Sequence, residues 1–180
     1  MTKMRAYAAL ILFAFSLTAR STPDETQLAV WANEAIVATY TYNYKDFIER
    51  QKQIAKYFTA GGWTDYSNVF TASKIPDAVQ ANSYFVSAVA TLPPTIKAKG
   101  DNHWQAEMPL LVIYKNPQYQ QKQTLDITLD FGIASPGQGV RGLAITSLQA
   151  QTSSEPCKCE AAKEEAAPTT AAPSQPQGAK

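Results

Sequence analysis

The chain has 180 residues, 45% hydrophobic and 11% aromatic, enough for one packed core and too apolar for a disordered polypeptide. Net charge is +1; removing residues 1–21, which hold Lys3, Arg5 and Arg20 and no acid, leaves 13 basic against 15 acidic residues, or −2. A near-neutral chain offers no electrostatic footing for nucleic acid or anionic lipid, so neither is expected as a partner.

The first 21 residues follow export logic. Lys3 and Arg5 form a positive start, and Ala6 to Ala19 is uncharged and rich in Leu and Phe. Its 14 residues fall short of the roughly 20 that span a bilayer as a helix. Ala19-Arg20-Ser21 places small residues at −3 and −1 of a signal peptidase site, so cleavage is expected after Ser21, with Ala19 as the alternative. The rival expectation is an uncleaved anchor, the one route by which the chain would contact a membrane. No cysteine stands at the cleavage site to argue for a lipoprotein.

From residue 22 the pattern is helical. Thr22-Pro23-Asp24-Glu25 reads as N-cap, proline at N1 and glutamate at N3. Leu28, Trp31, Ala32, Ala35, Thr39 and Tyr42 then recur on one face of a 3.6-residue period. Asn43 to Asp46 caps a second helix with Phe47, Gln51, Ile54, Ala55 and Phe58 inward, and Gly61-Gly62 is expected to end it. A third helix starts at Thr64 and breaks near Pro76, leaving a last turn with Ala78 and Val79.

Beyond residue 82 the period changes to 2. Ser83–Thr91 reads as a strand stopped by Pro93-Pro94, and Ile96–Lys99 pairs with Trp104–Tyr114 around Gly100-Asp101. Pro109 cannot donate to a ladder and suggests an edge or bulge. Lys122–Phe131 alternates most cleanly, with Leu125, Ile127, Leu129 and Phe131 on one face and Asp126, Thr128 and Asp130 on the other. Ser135-Pro136-Gly137 turns the chain into a final strand, Gly139–Leu148. The expected fold class is α+β: N-terminal helices on one face of a curved four-stranded antiparallel sheet. The expected division is 1–21 signal peptide, 22–149 domain and 150–180 a Pro/Ala-rich tail, disordered and open to rapid proteolysis.

Chemical motifs are sparse. The single histidine, His103, stands at a hairpin entry, and Asp126 and Asp130 lie roughly 13 Å apart along one strand, too far to share a proton. Neither a phosphate loop nor a hydrolase elbow occurs. Cys157 and Cys159 are the only cysteines; a bond between them would be strained, and two thiolates without further ligands make an incomplete metal site. They are expected as tail thiols, free or paired between chains. Tyr40, Tyr42, Tyr44, Tyr57 and Tyr66 could form a partner surface, though packing between helices explains them equally well. No catalytic residue, metal or cofactor is expected.

Five stretches carry a resemblance: WANEAIVATYTYNYKDF (31–47), QKQIAKYFTAGGW (51–63), NSYFVSAVATLPPTIK (82–97), HWQAEMPLLVIYKNPQYQQKQTL (103–125) and GQGVRGLAITSLQ (137–149). Over about residues 25–149 the chain resembles the periplasmic domain of the IcmL/DotI family, inner-membrane subunits of Dot/Icm type IVB secretion systems. The resemblance implies a nuclear-transport-factor-two-like layout and no catalytic residues. Family members carry a cytoplasmic segment and a transmembrane helix before this domain. Here a signal-length run stands almost at residue 1, so an IcmL-like paralogue is expected. The leading expectation is a non-enzymatic periplasmic assembly module that self-associates or docks onto type IVB inner-membrane subunits. The alternative is a small-ligand binder or enzyme using a cone-shaped pocket between helices and sheet, and a weaker third is a protein secreted beyond the periplasm.

Overall fold

The structure, a computed structural model, describes residues 23–153. Four helices, α1 (Glu25–Thr39), α2 (Phe47–Ala55), α3 (Ala60–Ala72) and α4 (Ile75–Ala81), lie against a curved antiparallel sheet. Its strands are β1 (Tyr42–Asn43), β2 (Phe85–Ala90), β3 (Thr95–Gly100), β4 (His103–Lys115), β5 (Gln120–Ile133) and β6 (Leu143–Thr152). The order is β1-β2-β4-β5-β6, with β3 also pairing β4. The expected α+β class holds, with six strands where four are expected. β1 is too short to leave a periodic trace, and β3 counts separately because it follows β2 along the same side of β4.

That succession resolves Pro109. β4 is internal: β5 pairs its whole length on one side, while β2 pairs Leu110–Lys115 and β3 pairs His103–Glu107 on the other. The carbonyl of Pro109 accepts from the Thr91 amide at 3.1 Å, so its backbone points to the β2/β3 side. The missing N–H therefore falls where β2 gives way to β3, and the ladder with β5 loses nothing. The proline marks a seam between two partners, not an edge or a bulge.

Asp24, rather than Thr22, caps α1: its carboxylate accepts from the Gln27 amide at 2.7 Å. The helix ends at Thr39, which transfers Tyr42 from the helical face to β1. Asn43 does turn the chain into α2, its side-chain oxygen accepting from the Lys45 and Asp46 amides at 2.8 and 3.3 Å. α2 stops at Ala55, and Gly61-Gly62 belongs to the first turn of α3, capped by Thr59 Oγ1 accepting from the Gly62 amide at 3.1 Å. Gly62 serves close approach: a Cβ there would stand 2.7 Å from the Ile145 carbonyl oxygen.

β6 begins at Leu143, not Gly139, because residues 139–142 are consumed by a tight turn. Gly139, Arg141 and Gly142 all have positive φ, and the Val140 amide donates to the Leu143 carbonyl at 2.9 Å. The strand then runs to Thr152, beyond the expected end at Leu148, with a bulge opposite Asp130 and Phe131.

The core lies between α1 and the sheet. Alternate residues Trp104, Ala106, Met108, Leu110 and Val112 of β4 and Leu125, Ile127, Leu129 and Phe131 of β5 are buried, facing Leu28, Trp31, Ala35 and Ile36 of α1. Trp31 stacks on Phe131 with centroids 5.0 Å apart, and Phe131 meets Trp104 at 5.9 Å. Each such ring stabilises the fold by about 1.5–3 kcal/mol through burial.

Candidate functional site

The most polar cluster ties three separated segments together. Glu34 leaves the outer side of α1, Tyr57 follows α2, and Arg141 comes from the turn before β6. The Tyr57 hydroxyl donates to Glu34 Oε1 at 2.8 Å, and Arg141 Nη2 donates to Oε2 at 2.6 Å. Together they hold the Glu34 carboxyl below its ordinary value, Tyr57 contributing most. Burial, reinforced by the charged carboxylate, pushes the Tyr57 phenol up. Next to it the Trp31 indole N–H donates to the Val140 carbonyl at 2.9 Å, so the β5–β6 turn is pinned to α1 twice.

Glu34 and Tyr57 border an open groove of about 600 Å³ between α1 and α2, floored by Val37, Ala38 and Ile54. Arg50 crosses it, Nε donating to the Thr41 carbonyl at 2.8 Å and Nη1 to Gln53 Oε1 at 3.0 Å. A carboxylate held ionised by two donors is a weak proton acceptor, and no nucleophile is paired with it. The cluster fastens structure; its geometry does not assemble acid–base chemistry.

His103 is exposed, Nδ1 lying 2.8 Å from the Asp101 carbonyl oxygen, and it does not line the groove between α1 and α2. Asp126 is exposed on the outer sheet face, and Asp130 on the same face accepts from Gln105 Nε2 at 2.9 Å; they do not converge. Among the described residues no group of three His, Cys, Asp or Glu is placed to hold a metal. Cys157, Cys159 and the two cleavage candidates, Ser21 and Ala19, lie outside the described residues. No helix among the described residues is long and apolar enough to cross a membrane.

The tyrosines divide. Tyr40, Tyr42 and Tyr66 pack on the core, and burial pushes their phenols far up, as it does Tyr114 to a smaller degree. Tyr66 stacks on Phe70 at 5.5 Å, Phe70 meets Tyr42 at 5.7 Å, and Phe58 meets Tyr66 at 5.1 Å. These rings pack on one another and against the core between helices and sheet. Tyr44 is half-buried at the margin of the core, edge-on to Phe85 at 5.5 Å, with Lys45 Nζ within 5.8 Å of both rings. The sequence gives no local sign of the Glu34–Arg141 contact, whose partners stand 107 positions apart.

Residues 14–152 match the DotI/IcmL family, described as an inner-membrane complex component of type IVb secretion systems. No curated protein matches. Among solved structures, an IcmL-like type IV secretion system protein of Legionella pneumophila is 59% identical, with a TM-score of 0.74, covering 77% of this chain and 100% of that one. The periplasmic domain of DotI is 28% identical at a TM-score of 0.69, covering 74% and 99%. A nuclear transport factor 2-like protein of Salmonella enterica, 13% identical at 0.52, covers 76% and 99% and shares the fold.

Proposed function

Since this chain belongs to the DotI/IcmL family of type IVb secretion inner-membrane complex components, we propose that it is a non-catalytic periplasmic assembly module that binds other subunits or further copies of itself. The observation that carries this reading is the likeness to an IcmL-like secretion protein over the whole of that chain at 59% identity. The exported location is supported by the leader, cleaved after Ser21 or Ala19, and by the likeness to a DotI periplasmic domain.

A ligand-binding or enzymatic role in a cone-shaped pocket gains little support, because Tyr42, Phe58, Tyr66 and Phe70 occupy that space. The test is co-purification of the exported chain with type IVb inner-membrane subunits from cell envelopes, alongside light scattering of the purified protein. Capture of those subunits or a defined oligomer is expected; a monomer that captures none of them sinks the proposal. Mass spectrometry of the periplasmic fraction is expected to give a mature chain starting at Thr22 or Arg20.

A further inference from the structure

β6 forms one border of the sheet, and its two halves are treated differently. Near Ile145 the border is covered: the Ile145 amide donates to the Tyr57 carbonyl at 2.8 Å, and its carbonyl accepts from Thr59 at 2.9 Å. Beyond the bulge the direction of every backbone group is fixed by one bond. The Ser153 amide donates to Thr124 of β5 at 3.0 Å. Alternation then turns Gln151 and Gln149 toward β5, in register with Asp126 and Thr128, and turns Leu148, Ala150 and Thr152 away from it. Among the described residues no strand pairs with those three, so three N–H and three C=O groups form an open row.

Natural edges are usually guarded by charge, proline or shortness. The border strand β3 carries Lys97 and Lys99, and β1 has two residues. From Gly142 to Ser154, β6 and its surroundings contain neither charge nor proline. The row is also self-complementary. A two-fold axis through Ala150 sets Ala150 opposite its own copy and Leu148 opposite Thr152, so the outward residues exchange six main-chain hydrogen bonds. Gln149 then faces Gln151 with no like charges opposed. We propose that the 148–152 edge of β6 pairs antiparallel with the same edge of a second copy, continuing the sheet across a two-fold dimer.

This rests on the assembly reading and names one surface for it. The test compares the exported, purified chain with Ala150→Pro, Ala150→Lys and Ala150→Glu variants by light scattering and sedimentation, with reductant present to keep Cys157 and Cys159 unlinked. The Ala150 amide points away from β5, so proline removes only donors to the second copy. A wild-type dimer is expected. Ala150→Pro loses two of the six bonds, which weakens dimerisation about tenfold. Ala150→Lys and Ala150→Glu each dimerise less well than wild type, and when mixed form the hetero-pair in preference to either self-pair. A dimer indifferent to all three substitutions overturns the edge pairing while leaving self-association intact. A wild-type monomer that still captures secretion subunits overturns it while leaving the assembly reading intact; circular dichroism confirms that each variant is folded.

Discussion

Glu34 is ionised against two donors, and this gives the domain a signature in acid. Its folded value is depressed, so the stabilisation is present above the unfolded value, about 4.5, and is lost as pH falls through the lower folded one. The carboxylate is 41% exposed, so the effect is modest. Wild type is expected to melt above Glu34→Gln at neutral pH, with the gap closing as pH drops below about 4.5 in thermal scans. A gap that stays constant across that range refutes the ionic account. Tyr57→Phe removes the first of the two donors and is expected to shrink the same gap, leaving Arg141 as the remaining partner.

At the level of elements, α3 is set on β6 by two adjoining devices. Thr59→Ala deletes the cap and is expected to cost about 1 kcal/mol in urea unfolding. Gly62→Ala forces a methyl group against the Ile145 carbonyl, 2.7 Å away, and is expected to cost about 1–3 kcal/mol. Gly62 also shows why local reading fails here. A Gly-Gly pair looks like a helix terminator, but its purpose is approach to a strand more than eighty positions away, which no window of sequence contains. Pro109 is the same lesson in a strand: its tolerance depends on β2 and β3 meeting opposite it. By contrast, β5 is legible over Leu125–Phe131, where apolar and polar residues alternate between a buried face and a wetter one, whereas β4 reads as a near-continuous apolar run over Met108–Tyr114 because its second face is half-buried.

Across the whole molecule, Trp31, Phe131 and Trp104 form the spine on which helices and sheet meet. Phe131→Ala is expected to destabilise the domain by about 3–5 kcal/mol, measured by chemical denaturation. The fold class follows from periodicity, since the core faces of α1 and β5 are visible as helical spacing and alternation. The polar cluster does not, because Glu34, Tyr57 and Arg141 come from three elements that only the packing of α1 brings together. The tyrosines are intermediate: the sequence shows their abundance, and only the structure shows Tyr42 fully buried while Tyr40, Tyr44 and Tyr66 pack half-buried against the core.

The double pinning of the β5–β6 turn to α1 sets a schedule for biogenesis. Trp31 and Glu34 leave the ribosome early, yet their partners Val140 and Arg141 are more than a hundred positions later. α1 can thus meet β2 and β3 earlier, but its two pins to the β5–β6 turn must wait for nearly the whole domain to be synthesised. Such long-range closure costs chain entropy before its two bonds can form, and so favours slow acquisition of the native state.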